Sequence, residues 1–134
     1  MDSTTLRSAI ETLNPSKPAT ISKDAPVQEA IDRLREKNYG CLCVVEDETL
    51  AGILTERDIL TKIVAGGLDP LETRVGEVMT GDPEYLFLDD QIAFAVNRMH
   101  VGGFRHIPLI NLKGRPTGIV SVRDILKYLV NSIQ

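Results

Sequence analysis

Gly52-Ile53-Leu54-Thr55-Glu56-Arg57-Asp58-Ile59-Leu60 returns 66 positions later as Gly118-Ile119-Val120-Ser121-Val122-Arg123-Asp124-Ile125-Leu126, with six of the nine residues identical. Leu54/Val120 keeps shape and Thr55/Ser121 keeps a hydroxyl. Such a repeat reads as an internal duplication. In each copy a short apolar run suited to a buried strand ends at the hydroxyl residue. Ile59, Leu60, Ile63 and Val64 then follow at helical spacing, as do Ile125, Leu126, Leu129 and Val130. Each copy is therefore expected to be a strand running into a helix, with Thr55 or Ser121 near the N-cap.

Two readings of this junction stand side by side. In the first, Thr55/Asp58 and Ser121/Asp124 are capping boxes, a hydroxyl and a carboxylate three residues apart that satisfy orphaned backbone donors. In the second, the junction is a binding site. Free N–H groups and the positive dipole end suit an anion, Arg57 and Arg123 suit phosphate, and Asp58 and Asp124 can accept hydrogen bonds from a diol such as ribose.

Composition narrows the class. The chain has 134 residues, 43% hydrophobic and 25% charged, with a formal net charge of −4. That fits one globular domain of ordinary size with a real core. The acidic balance argues against a generally basic nucleic-acid surface, and three Phe, three Tyr and no Trp leave little for base stacking. No stretch reaches the apolar length that spans a bilayer. The opening Met1-Asp2-Ser3-Thr4-Thr5-Leu6-Arg7 lacks the apolar core of a secretion signal, so a cytoplasmic location is expected. Cys41 and Cys43 lie two apart in a strand-like run and should share one face as buried free thiols rather than as a disulfide or a metal pair.

The rest of the chain falls into place around the repeat. Residues 1–14 are expected to form an accessory helix, with Leu6, Ile10 and Leu13 on one face and Asn14-Pro15 as the stop. Residues 15–66 form a first unit. It runs from an extended segment at Thr20-Ile21 to a helix started near Pro26, with Val27, Ala30, Ile31 and Leu34 inward. Asn38-Tyr39-Gly40 ends that helix. The strand Cys41-Leu42-Cys43-Val44-Val45, a turn at Glu46-Asp47-Glu48, and the first motif complete the unit. Residues 67–78 form a linker. Residues 79–134 repeat the programme, with Ile92, Ala95, Val96 and Met99 and the strand His106–Ile110 all 65 positions after their counterparts. Asn111-Leu112-Lys113-Gly114 supplies the second hairpin turn. Each half reads β-α-β-β-α, an α/β (α+β) class, and about 60 residues is marginal for a half standing alone.

With these motifs in hand, the chain resembles a tandem pair of cystathionine-β-synthase (CBS) domains over roughly residues 15–130. The two Gly-hydrophobic-hydrophobic-Thr/Ser-x-x-Asp stretches carry the resemblance, supported by Met79-Thr80 and Arg105-His106-Ile107-Pro108-Leu109-Ile110. It implies two units packed through their sheets with pseudo-twofold symmetry, and clefts that take AMP, ADP, ATP or S-adenosylmethionine. It puts ribose at Asp58 and Asp124, with Thr55 and Ser121 near ribose and phosphate. Arg105 and His106 stand where basic residues of the family often reach phosphates, whereas the first half has Gly40 and Cys41 there, and Cys43 in place of Pro108. The resemblance thus implies unequal sites. Without it, Arg105 also reads as a solvated strand end and His106 as a structural histidine. Thr20 and Tyr85 match on the first strand of each half, which lines the adenine pocket in the family; Tyr85 stacks on a base, blocks it, or fills core.

The function implied is regulatory. An adenine nucleotide is sensed, no cofactor is required, and a conformational change is passed to an unidentified partner protein by a homodimeric module. A ligand-independent dimerisation or scaffold module, or an S-adenosylmethionine sensor, is the alternative. No nucleophile-base-orienter set, catalytic carboxylate pair or metal cluster stands out, so catalysis is not expected, nor are nucleic-acid or membrane partners.

Overall fold

The computed structural model describes residues 3–37 and 39–133; Asn38, read above as part of a helix stop, lies outside them. In chain order the elements are α1 (Ser3–Arg7), a 3-10 turn (Ile10–Leu13), β1 (Thr20–Ser22), α2 (Val27–Lys37), β2 (Cys41–Glu46), β3 (Thr49–Thr55) and α3 (Glu56–Asp58). A π-helical segment (Ile59–Val64) follows, then α4 (Val75–Val78), β4 (Thr80–Gly81), α5 (Ile92–Gly102), β5 (His106–Ile110), β6 (Pro116–Ser121) and α6 (Val122–Ile133).

The chain packs as two units. The first is Pro18–Pro83 with Gly114–Pro116; the second takes the residues up to Lys17, Glu84–Lys113, and those from Thr117 on. In the first unit the sheet order is β1-β2-β3-β4. Strand β1 runs parallel to β2, with Thr20 opposite Cys43, and β3 runs antiparallel, with Thr55 opposite Cys41. The hairpin between β2 and β3 turns on Asp47 and Glu48, both at positive φ, the twist that suits a two-residue loop. Val27, Ala30 and Leu34 of α2 bury on this sheet together with Leu42, Val44, Leu54 and Ile63. Ile31, expected on the same face, is only partly covered.

In the second unit β5 and β6 form the sheet, and Ile92, Ala95 and Met99 of α5 pack on Ile107, Leu109, Val120 and Ile125. The expected first strand of this half shrinks to one parallel bridge, Leu86 to Leu109. The counterpart in the first unit, Ile21 opposite Val44, sits in a regular strand. Pro108 explains the loss. Cys43 donates its N–H to Ala19 O at 2.8 Å, and Pro108, 65 positions on, has no N–H to give. The bonds that remain are Leu86 N–H to Pro108 O, 3.2 Å, and Ile110 N–H to Leu86 O, 3.1 Å.

Three boundaries differ from the sequence reading. Residues 1–14 are not one helix: α1 stops at Arg7, Ala9 bridges Gln91, and the 3-10 turn buries Ile10 in the second core. The stretch 67–78 is not a bare linker, since Val75 and Val78 of α4 are buried in the first core. And Met79-Thr80, which opens the second half in sequence, gives its short strand to the first sheet. Thr80 and Gly81 pair antiparallel with Ile53 and Gly52 of β3. Ser16 in turn bridges Ile119 of β6 in the second unit, with Ile119 N–H donating to Ser16 O at 3.2 Å. Each sheet therefore takes its edge from the segment that precedes the other half in sequence.

Candidate functional site

Each motif is a strand-to-helix junction closed by its own side chains. At the first, Thr55 ends β3 in extended backbone, and its Oγ1 accepts the Asp58 N–H at 3.1 Å. Asp58 Oδ2 returns the bond, accepting Thr55 N–H at 3.0 Å and the Thr55 hydroxyl at 3.1 Å. At the second, Ser121 Oγ accepts Asp124 N–H at 3.1 Å and Asp124 Oδ2 accepts Ser121 N–H at 3.0 Å. Both capping boxes form as the spacing requires. A second device repeats too. Glu56 N–H reaches Gly40 O at 3.4 Å, and Val122 N–H reaches Arg105 O at 3.0 Å. The loop before β5 is thereby fastened to the first turn of α6, which brings the Arg105 backbone to the start of that helix.

The junctions differ in charge. Asp58 Oδ1 pairs with Lys62 Nζ at 3.3 Å, and the same ammonium donates to Val78 O at 2.8 Å. Lys62 was not singled out from the sequence, although an acid and a base four apart on a helix is a usable signal. Tyr128 holds the matching place in the second motif and packs on the second core. Among the described residues Asp124 Oδ1 has no partner, and neither Arg57, Arg105 nor Arg123 forms an ion pair; all three are exposed. Glu56 and Asp89 form no ion pair with them among the described residues.

The remaining candidates scatter along each unit. In the first, Thr20 is half-buried on β1 and its carbonyl accepts from the Arg33 guanidinium. In the second, Tyr85 is 44% exposed with its ring centroid 5.9 Å from that of Phe87, so it does not fill core. His106 opens β5 half-buried, and Pro108 is fully buried inside that strand. Cys41 and Cys43 are buried free thiols on β2.

Each unit also carries an apolar groove between helices. One of about 330 Å³ is lined by Ile31, Leu34, Arg35, Glu56 and Ile59. The other, about 450 Å³, includes Val96, Met99, His100, Val122 and Ile125, the same positions shifted by the repeat, with Arg105 at its wall. No cluster of three or more His, Cys, Asp or Glu suited to a metal ion occurs among the described residues, and no helix among them is long and apolar enough to cross a membrane.

The family model for the CBS domain matches residues 10–65 and 75–131. The chain belongs to the CBS domain family. This CBS pair is similar to the CBS domain-containing protein CBSX3, mitochondrial, of Arabidopsis thaliana, 35% identical over 113 residues, covering 81% of this chain and 54% of that one. The pair thus spans about half of CBSX3, and only 21% of another Arabidopsis relative, CBSCBSPB3. Its fold is shared by the CBS domain protein PAE2072 from Pyrobaculum aerophilum complexed with AMP, at TM-score 0.80, 23% identity and coverage of 92% and 98%. It is shared as well by the CBS domain pair of protein MJ0100 in complex with 5′-methylthioadenosine and S-adenosyl-L-methionine, at TM-score 0.81, 22% identity and coverage of 91% and 99%. The family match follows the sequence repeat, whereas the packing trades the short edge segments between halves.

Proposed function

We propose that this CBS pair is a regulatory module, without catalytic activity of its own, that binds AMP, ADP or ATP and passes the change to a partner protein as a homodimer. The second junction carries the reading. Asp124 offers an unpartnered carboxylate oxygen for a ribose diol, and Arg123, next to it in sequence, and Arg105, whose carbonyl is bonded to the first turn of α6, have guanidinia engaged by no carboxylate among the described residues. Such groups are suited to phosphate. The AMP complex of PAE2072 supports an adenosine ligand for the fold. Tyr85, half exposed, is available to stack on a base. The expected compartment is the cytoplasm, although one relative is named as mitochondrial.

A calorimetric series with adenosine, AMP, ADP, ATP, S-adenosylmethionine and NAD tests this. A charge-assisted bond to phosphate contributes roughly 1.5–3 kcal/mol, so AMP or ADP should bind about tenfold or more above adenosine. The gap should shrink in Arg105→Ala and Arg123→Ala, and narrow with salt. S-adenosylmethionine, with a sulfonium in place of phosphate, should bind below AMP. Equal binding of all compounds, unchanged in the arginine variants, would remove phosphate from the mechanism. The closed capping boxes, complete without any ligand, favour the scaffold reading as the second one. Absence of binding by every compound would leave that reading standing.

A further inference from the structure

The two repeats keep the same carboxylate and cap it the same way, yet only one carboxylate is held by a cation. Asp58 is almost enclosed, its side chain 13% exposed, with one oxygen taken by Thr55 and the other by Lys62. Lys62 is itself fixed at a second point by Val78 O, at the end of α4 in the same unit. A diol arriving at Asp58 finds both carboxylate oxygens already engaged, Oδ2 by Thr55 and Oδ1 by Lys62, and must compete with an ammonium that also satisfies a backbone carbonyl. At Asp124 none of this applies: the residue in register with Lys62 is Tyr128, and Oδ1 has no partner among the described residues.

We infer that Lys62 is a specificity-determining residue. It acts as a built-in counter-ion that closes the first motif to ribose and leaves one nucleotide site per chain, at Asp124. The inference rests on the nucleotide reading above and fixes its stoichiometry. Lys62 works here through Asp58 and touches no ligand. Two features make the closure local. The pair spans four residues along one helix, and the Val78 anchor belongs to the unit that contains Asp58. Removing the ammonium therefore restores at Asp58 the arrangement found at Asp124, a carboxylate with one oxygen capping and the other open.

Calorimetry of the full chain with AMP and with adenosine tests it, on the parent, Lys62→Met, Lys62→Gln, Lys62→Arg, Asp58→Asn and Asp124→Asn, each checked by thermal unfolding. Lys62→Gln keeps a donor for Val78 O and serves should Lys62→Met not fold. The parent should bind one AMP per chain, lost in Asp124→Asn and unchanged in Asp58→Asn. Lys62→Met and Lys62→Gln should gain a second binding event, about tenfold or more above any seen in the parent, that survives Asp124→Asn. Lys62→Arg, which keeps the ion pair, should behave as the parent. Two AMP per parent chain, a stoichiometry of one in the folded Lys62 variants, or weaker AMP binding in them overturns the inference while leaving the nucleotide reading intact. The last outcome would make Lys62 a phosphate contact. Should neither AMP nor adenosine bind the parent or the variants, the nucleotide reading fails and takes the inference with it.

Discussion

At the scale of single residues, the two cysteines show how burial alone sets chemistry. Burial pushes the Cys41 thiol up to about 12, with the neighbouring Cys43 adding to the effect, and burial does the same to Cys43. A thiol whose value is raised in the folded state holds a proton that the unfolded chain gives up first. Its contribution to stability is complete below the unfolded value, about 8.5, and is lost as pH climbs toward 12. Denaturation midpoints should therefore fall from about pH 9 upward, and less steeply in a Cys41→Ala, Cys43→Ala double variant. A thiol reagent at pH 8 should label neither cysteine until denaturant is added; prompt labelling of the native protein would contradict the burial. That Cys41 and Cys43 share a face was legible because alternation along a strand is a strict geometric rule; their burial is not set by alternation, since Leu42 and Val44 on the other face are buried too. The capping boxes were legible for a similar reason, being complete within three residues of chain. Lys62 was not. Its spacing from Asp58 was visible, but the carbonyl of Val78 that fixes it lies 16 positions away, and nothing in the local pattern names that acceptor.

At the scale of elements, the repeated glycine explains itself through close approach. A methyl group on Gly52 would sit 2.5 Å from Met79 Sδ and 2.7 Å from Thr80 O, because β4 crosses β3 there. On Gly118 it would meet Leu109 Cδ1 and Ser16 O, both at 3.3 Å. A backbone oxygen cannot swing aside as a thioether can. Gly52→Ala should thus cost about 1–3 kcal/mol, the usual range for overpacking, and Gly118→Ala measurably less. Chemical denaturation of the two variants checks this, and equal midpoints would mean that β4 yields without cost. The strand-to-helix order of each half followed from apolar periodicity. What periodicity missed were the short pieces. Thr80-Gly81 and Ser16 are too few residues to show a face, so neither pattern nor propensity says which sheet they edge. The lost first strand of the second half follows from one missing N–H at Pro108, which no periodicity in the sequence signals.

At the scale of the whole molecule, the helices leave apolar surface without a partner. Of the apolar residues that close the two motif helices, Ile63 is core and Leu129 half-buried, while Val64 and Val130 are 67% and 57% exposed. Leu60 joins Val64, and Leu126 and Ile133 join Val130, all large and exposed. Uncovered apolar stripes of this kind mark interfaces. A homodimer is the expected assembly, and sedimentation at some tens of micromolar, roughly where a standard interface should associate, should report twice the chain mass. Leu126→Glu with Val130→Glu should shift that species to monomer, since unpaired carboxylates resist desolvation. A parent that sediments as a monomer sinks the assembly and, with it, the route by which a dimer would signal.

The exchange of edge segments has a further consequence, for the history of the chain. The stretch that was duplicated and the body that packs are out of phase: a half cut at the sequence repeat carries the segment that edges its sibling's sheet and lacks the one that edges its own. Two such half-length polypeptides would each supply what the other misses. Joining them end to end would then have added a peptide link to a reciprocal pairing without inventing a new one.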